Sequence, residues 1–272
     1  MGLKRMRTLL VTLAALVALI ALAPSAASAT TTPAPGYGQF TGCPNPSEAT
    51  TEFCFHTVFT NGELQVGKIE IPVSTPITYS GGITPSGNVV FNAFGGMPPV
   101  PQPVPGGIVG LTGLTWLGSV LTPAEQEVDA DIELAGAPGP PWPETLSLPI
   151  KIHLTNPVLG KNCYIGSNAN PIRLDLITGT TSPPPPNKPI TGTEPEFSTT
   201  PNEVLDLENG TYVDNSFSVP GATGCVLTLY KYIPISLNGL INSENGLPAA
   251  AGTNRAILGF DTELVESPIV YP

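Results

Sequence analysis

Charged residues are scarce in this sequence, and cationic ones most of all. Asp, Glu, Lys and Arg make up 11% of the 272 residues, with 10 Lys and Arg against 21 Asp and Glu. A formal net charge of −11 repels nucleic acid phosphates and anionic lipid headgroups, so neither is an expected partner. The acidic balance favours divalent cations or basic surfaces instead.

The sequence also lacks the common signatures of nucleophilic catalysis. His56 and His153 are its two histidines, and both fall in strand patterns that favour a surface or structural role. No Gly-x-Ser-x-Gly elbow and no phosphate-binding loop occurs. We therefore assign no catalytic residue, cofactor or metal. A carboxylate-dependent hydrolase stays an alternative, and it predicts a cleft with two acids about 5–9.5 Å apart.

The N-terminus has the pattern of a secretory signal peptide. Three cations (Lys4, Arg5 and Arg7) precede an apolar run, and Ala27-Ser28-Ala29 follows as a small-residue cleavage site. The run is too short for a transmembrane helix. We expect Sec-type export with cleavage near Ala29, so residues 1–29 are the signal peptide and the mature protein is secreted, extracellular or wall-associated.

Four cysteines follow the cleavage site, and in an exported chain disulfides are the default. Four cysteines allow three pairings. We expect Cys43–Cys54, because these two are close in sequence, and Cys163–Cys225, because both lie in turn-rich segments. Free thiols or a metal site are the alternative, although no Cys-x-x-Cys occurs and neither histidine has metal-ligand spacing to a cysteine.

Frequent glycine and proline, 29 and 33 residues, disfavour long helices and favour short strands joined by turns. We predict an all-β fold, a two-sheet antiparallel β-sandwich with long Pro/Gly-rich loops and one short helix near residues 236–246. Residues 30–51 are expected to be a flexible leader and residues 52–272 a single domain.

The clearest strand pattern runs from Leu146 to Ile177. Even positions from Leu146 to Leu154 are apolar and odd positions are not, and the apolar alternation returns from Ile172 to Leu176. A period of two is typical of a half-buried strand. We predict a hairpin whose long connection carries Cys163.

Local patterns predict further elements. Asn61-Gly62 and Asn209-Gly210 are strong hairpin signals, and a change of apolar phase suggests a β-bulge at Gly67. The glycine-laced run 108–121 predicts a buried strand plus turn, with a surface-active loop as the alternative.

An acidic strand is predicted from Glu127 to Leu134. Glu127, Asp129, Asp131 and Glu133 alternate with apolar residues, so their carboxylates share one face and repel one another. A solvated edge strand is the interpretation we prefer. A calcium or cell-wall cation bound to this face is the alternative.

Aromatic residues are few, at 7%. A carbohydrate-binding module would need aromatic platforms, and Trp116, Trp142, Tyr164 and Tyr230 are the candidates. This reading predicts that Trp116 or Trp142 is exposed on a flat face.

Three blocks resemble a family of uncharacterised secreted proteins of actinobacteria. They are Leu148–Asn170 with its Cys163-Tyr-Ile-Gly-Ser167 core, Val213–Phe217 with Gly224-Cys225, and Leu240–Asn254. The resemblance implies export and supports pairing Cys163 with Cys225. It implies no activity.

The sequence therefore favours a non-enzymatic secreted or cell-surface protein that binds a wall component or another surface protein. A carbohydrate-binding module and a carboxylate-dependent hydrolase are the alternatives.

Overall fold

A computed structural model describes residues 32–229 and 233–272. The predicted signal peptide lies outside these residues. The fold is mostly antiparallel β, with one large curled sheet and one small two-stranded sheet. The strands are β1 Phe53–Val66, β2 Ile69–Pro72, β3 Ile77–Ile83, β4 Val89–Val90, β5 Gln102–Pro103, β6 Asp129–Leu134, β7 Thr145–Thr155, β8 Tyr164–Ile165, β9 Ile172–Ile177, β10 Glu196–Thr199, β11 Leu205–Asp214, β12 Ala222–Thr223, β13 Val226–Leu229, β14 Ile233–Ser236 and β15 Arg255–Glu266.

Short helices lie between and after the strands. They are a 3-10 helix Gly38–Gly42, α1 Gly107–Thr112, α2 Leu117–Val120, α3 Pro123–Gln126, α4 Asn238–Asn245 and α5 Ser267–Val270. The predicted C-terminal-region helix is α4. It begins two residues after the expected Ser236, which belongs to β14, and it ends at Gly246 in the left-handed conformation, with Pro248 beyond.

The other helices correct the prediction of one helix. Two of them, α1 and α2, replace the buried strand expected at 108–121. Left-handed glycines at positions 106 and 113 flank α1, and a capping box of Thr122 and Glu125 begins α3. Ile108, Leu111 and Leu117 are buried, so the run buries apolar residues at helical rather than strand spacing.

The large sheet has the order β12-β8-β7-β9-β11-β15-β1-β3-β4, with β2, β5, β6 and β10 paired alongside. The curl brings distant strands across one core. The hydroxyl of Tyr79 in β3 donates to the carbonyl of Gly139, in the loop between β6 and β7, at 2.8 Å. The amide of Gln102 in β5 bonds the backbone of Ser74 and Thr75 after β2.

The predicted hairpin from Leu146 to Ile177 is confirmed. Its arms, β7 and β9, pair antiparallel with Leu146 opposite Leu176 and Ile150 opposite Ile172. The even residues of β7 are buried, as the alternation requires. Cys163 lies in the connection and forms its disulfide with Cys225.

The two Asn-Gly pairs do not form hairpins. Asn61-Gly62 lies inside β1 and Asn209-Gly210 lies inside β11, each at a shift in the register with β15; Asn61 is opposite Gly259 and Gly210 is opposite Phe260. The turn after β1 is instead at Gly67, where φ is 61° and a Cβ atom would lie 2.2 Å from the carbonyl oxygen of Asn245. Both Asn-Gly pairs therefore serve as β-bulges in strands that pair with β15.

Residues 32–51, for which the sequence predicts a flexible leader, pack against the sheet. Phe40 is fully buried in a small second core with Val204, Val265 and Tyr271. The Cys43–Cys54 disulfide joins this segment to β1. An anchoring aromatic residue and a covalent link therefore compensate for the low apolar content of the segment.

Both disulfides join the cysteines paired from the sequence, and two disulfides are consistent with an extracellular protein. Within the described part of the chain, no helix is long and apolar enough to cross a membrane.

Candidate functional site

The acidic face of β6 lies opposite two basic side chains of β7. Asp131 pairs with His153 and Glu133 with Lys151 in the strand register. Glu133 contacts the Lys151 ammonium at 3.2 Å and His153 Nδ1 at 3.5 Å. The His153 ring also stacks on Tyr164, with 4.3 Å between ring centroids. The protein itself therefore supplies positive charge to part of this face.

Asp131 is the member of this face with a buried carboxylate oxygen that lacks a hydrogen-bond partner. Its Oδ1 atom is buried and unbonded, and burial raises the pKa of this carboxyl group. Glu127 and Asp129 line a separate cavity of about 340 Å³ beside Gly106 and Gly107. Within residues 32–229 and 233–272, no group of three or more His, Cys, Asp or Glu side chains is arranged to hold a metal ion. Calcium binding at this face stays a prediction.

The two tryptophans are both partly exposed but lie far apart. Trp116 immediately precedes α2, which packs near α1, and α1 packs on α4. Trp142 lies just before Thr145, at the start of β7. The helical segment that contains Trp116 leads into Asp129, the start of β6, which pairs with Thr155 at the other end of β7. The eleven residues of β7 span about 33 Å at the usual strand rise. The structure therefore does not place Trp116 and Trp142 on one platform, and Tyr230 lies outside the described residues.

A groove on the outer face of β1, β15 and β11 collects carboxylates that the sequence did not single out. We call it the carboxylate groove. Its volume is about 570 Å³, and it is lined by Gln39, His56, Val58, Thr60, Asp206, Leu207, Glu208, Asp261, Thr262 and Glu263.

Strand register explains how the groove forms. His56 lies opposite Glu263, and Glu263 lies opposite Asp206, so three polar side chains form a row across three strands. Directly opposed residues have Cβ atoms about 5 Å apart. The β-bulge at Asn209 turns its backbone N–H toward the Asp261 carboxylate, at 2.8 Å.

Burial shapes the electrostatics of this row. It raises the pKa of Glu263, and the nearby Asp206 carboxylate raises it further, while a hydrogen bond from Gln39 opposes the change. Burial lowers the pKa of His56, so the ring favours its neutral form. His56 Nδ1 and Asp206 Oδ1 are buried and lack hydrogen-bond partners. Paired carboxylates of this kind can share or transfer a proton.

A second cavity lies beside Trp142, and we call it the Trp142 pocket. It has a volume of about 400 Å³ and is lined by Phe53, Trp142, Pro143, Glu203, Leu205, Leu207, Leu264, Val265 and Glu266. The sheet fixes its floor, because Leu205 and Leu264 are direct partners on β11 and β15. The Trp142 carbonyl accepts a hydrogen bond from the buried Tyr212 hydroxyl, which holds the loop over this floor.

Exposed apolar side chains border the Trp142 pocket. Trp142 is 38% exposed and Leu205 is 36% exposed. Phe197 of the outer strand β10 is 60% exposed and lies opposite Leu207 of the pocket floor. Soluble proteins seldom leave neighbouring large apolar side chains in water, and such a cluster marks an interaction surface.

Sequence reasoning found Trp142 but missed the residues around it. Phe197 and Leu205 lie where the strand signals weaken, and Glu263 and Asp206 meet only through long-range pairing. No family model, curated protein or solved structure matches the chain. The resemblance to secreted actinobacterial proteins stays a prediction, and the geometry of the two sites is the basis for function.

Proposed function

We propose that this chain is a secreted, non-enzymatic binding protein of the actinobacterial family it resembles. Its Trp142 pocket would contact a cell-wall component or a surface protein. The observation that supports the proposal most strongly is that Leu205 and Trp142, both exposed, line one cavity, while the exposed Phe197 lies opposite Leu207 of the same lining. Aromatic residues beside a pocket contribute most of the energy of many binding surfaces.

The architecture suits this role. We also propose that the two halves of the curled sheet act as the two layers of a β-sandwich, which supports a rigid rim around the pocket. The bond from Tyr79 in β3 to Gly139 in the loop before β7 links strands that are distant in the order of the sheet. A rigid floor lowers the entropic cost of ordering the contact residues on binding.

A retention assay tests the proposal. Residues 30–272 would be incubated with insoluble actinobacterial cell wall, and in parallel with cellulose and chitin, with and without calcium. We expect retention on the wall, and Phe197→Ser should weaken it several-fold because burial of the ring is lost. Phe94→Ser is the matched control, since Phe94 is 75% exposed but lies outside the pocket.

The arms of this assay separate the alternatives. Equal weakening by Phe94→Ser, or none by Phe197→Ser, would exclude the pocket as the binding surface. Retention on pure cellulose or chitin would indicate a carbohydrate-binding module with Trp142 as the stacking residue. Loss of retention with chelator would indicate a calcium site on the face of Glu127, Asp129, Asp131 and Glu133.

A carboxylate-dependent hydrolase is a second candidate, supported by the opposition of Asp206 and Glu263 in the carboxylate groove. In that reaction Glu263, whose pKa is raised, would be the acid and Asp206 the ionised partner. Release of soluble fragments from wall by the wild-type chain, abolished by Glu263→Gln, would favour this candidate. Absence of release at several pH values would reject it.

A further inference from the structure

The Trp142 pocket is apolar inside and acidic at its rim. Its floor is formed by Leu207, Leu264 and Val265, which are all nearly fully buried. Glu203 and Glu266 belong to the lining and are exposed. A ligand that fills this pocket would therefore contact apolar side chains inside it and carboxylates at its opening.

Two more acids are chain neighbours of residues that line the pocket. Glu52 directly precedes Phe53, and Glu144 directly follows Pro143, and both are exposed. Within the described residues, the ion pairs of carboxylates involve Glu133 and Glu63, so none of these four acids is neutralised by a neighbouring cation.

The cationic side chains lie elsewhere. No lysine or arginine lines the pocket. Lys68 and Arg255 sit at the opposite end of β1 from Phe53, because Arg255 pairs with Gln65 and Lys68 follows Val66. Arg255 and Lys151 are already paired with glutamates. The carboxylates at the opening are therefore not compensated by a lysine or arginine of the lining.

Glu203 lies in the turn between β10 and β11. Its φ angle is 61°, in the left-handed region that favours glycine and asparagine. The turn is closed by the Glu203 N–H donating to the Thr200 carbonyl at 3.0 Å. Glu203 precedes Leu205 by two positions and Glu266 follows Leu264 by two, so these two acids lie at the same end of the paired strands β11 and β15.

From these observations we propose that the Trp142 pocket takes a ligand with an apolar body and a cationic head, an alkyl or aryl ammonium group. The apolar body contacts Phe53, Trp142 and Leu205, and the ammonium group lies between Glu203 and Glu266. This proposal rests on the proposed function, because it assumes that the pocket is the binding surface, and it names the chemistry of what the pocket accepts.

Fluorescence of Trp142 tests the proposal. The chain has two tryptophans, so Trp116→Phe leaves Trp142 as the sole tryptophan. This variant would be titrated with octylammonium, octanol and octanoate at equal ionic strength, each below its aggregation concentration. We expect a saturable change in emission, with octylammonium binding roughly three- to tenfold more tightly than octanol and octanoate binding most weakly.

Variants identify the source of the preference. Glu203→Gln with Glu266→Gln should remove the advantage of octylammonium and leave octanol binding unchanged. Glu70→Gln with Glu244→Gln is the matched control, because both residues are exposed acids distant from the pocket. The advantage of octylammonium should also shrink as salt concentration rises.

The outcomes separate this proposal from the proposed function. Equal binding of octylammonium and octanol, or an advantage that survives loss of Glu203 and Glu266, would overturn the ammonium preference. So would the absence of any change in emission. In each case the proposed function would still stand if Phe197→Ser weakened wall retention, and it would fail if that variant had no effect.

Discussion

Glu203 occupies a position in the β10–β11 turn that suits glycine better. Its φ angle is 61°, and a non-glycine residue in this region costs about 1 kcal/mol or more. We predict that Glu203→Gly raises the free energy of unfolding by up to about 1 kcal/mol, after allowing for the greater freedom of glycine in the unfolded chain. Urea unfolding measures this change.

The control for this prediction is Glu203→Gln, which removes the charge but keeps the backbone conformation. It should leave stability near that of the wild type. A Glu203→Gly variant that is less stable than Glu203→Gln would show that the turn carries no strain.

Glu263 links stability to pH. Its pKa is raised above the ordinary value of 4.5 by burial and by Asp206. The folded state therefore holds the proton more tightly, so this group contributes stability that is full below pH 4.5 and is lost as pH rises through the raised pKa. We predict that Glu263→Gln is more stable than the wild type at neutral pH by less than about 1 kcal/mol, because Glu263 is only half-buried and solvent screens the interaction.

Thermal unfolding across pH 3 to 7 would measure this difference. The gap between Glu263→Gln and the wild type should close at the acidic end of the series. A gap that is constant with pH would mean that packing, and not ionisation, separates the two proteins.

At the scale of elements, the bulges in β1 and β11 shape the surface near the carboxylate groove. Gly210 lies under Phe260, and a Cβ atom there would lie 2.4 Å from the ring. That ring stacks on Tyr212 with centroids 3.8 Å apart. We predict that Gly210→Ala lowers the free energy of unfolding by about 1–3 kcal/mol, because the added methyl group displaces a buried stack.

Gly239→Ala is the matched control for the bulge. Gly239 lies in α4, where a Cβ atom would meet nothing within 4 Å. This substitution should stabilise the protein by up to about 1 kcal/mol through helix propensity. If Gly210→Ala were also stabilising, Phe260 would have to be free to move away from the bulge.

These elements show what the sequence could and could not predict. The alternation in β7 and β9 predicted both strands, because alternating apolar residues show which face of a strand is buried. The turn residues between them then predicted that the two strands pair. Asn61-Gly62 and Asn209-Gly210 misled the prediction, because a residue pair that tolerates positive φ suits a hairpin turn and a β-bulge equally. Only the central place of β15, which pairs with both strands, distinguishes the two. Similarly, Leu111 and Leu117 are buried in short helices. The frequent glycines of this run disfavour helix in the sequence, so the helical spacing was missed.

For the whole molecule, the two disulfides differ in the length of chain they close. Cys163–Cys225 spans 62 residues and Cys43–Cys54 spans 11. Loop entropy predicts that replacing the first pair by alanine costs about 4 kcal/mol and the second about 3 kcal/mol. Urea unfolding of the two double-alanine variants checks the order. If loss of Cys43–Cys54 lowered the free energy of unfolding more than loss of Cys163–Cys225, loop entropy alone could not explain the order. The packing of Phe40 and the N-terminal segment would then depend on the Cys43 disulfide.

The candidate site required the complete fold. Composition predicted an acidic surface. It could not predict that the unpaired acids of the Trp142 pocket lie at one end of β1 and that Lys68 and Arg255 lie at the other. That separation follows from strand register. Likewise, Asp206 and Glu263 are 57 positions apart by their residue numbers and meet only because β11 and β15 are neighbours. In the sequence alone, four acids on one predicted strand are a stronger signal than carboxylates divided between two strands that are distant in sequence.

The most direct measurement of the central claim is hydroxyl-radical footprinting of the wild-type chain bound to insoluble cell wall, compared with the free chain. Four exposed aromatic residues report on different surfaces. Trp142 lines the pocket and Phe197 lies opposite Leu207 of its lining, whereas neither Trp116 nor Phe94 belongs to the lining or pairs with it. If the Trp142 pocket is the binding surface, oxidation of Trp142 and Phe197 should fall several-fold on binding, and oxidation of Trp116 and Phe94 should not change. Protection of Trp116 or Phe94, with Trp142 and Phe197 still oxidised as in the free chain, would contradict that claim.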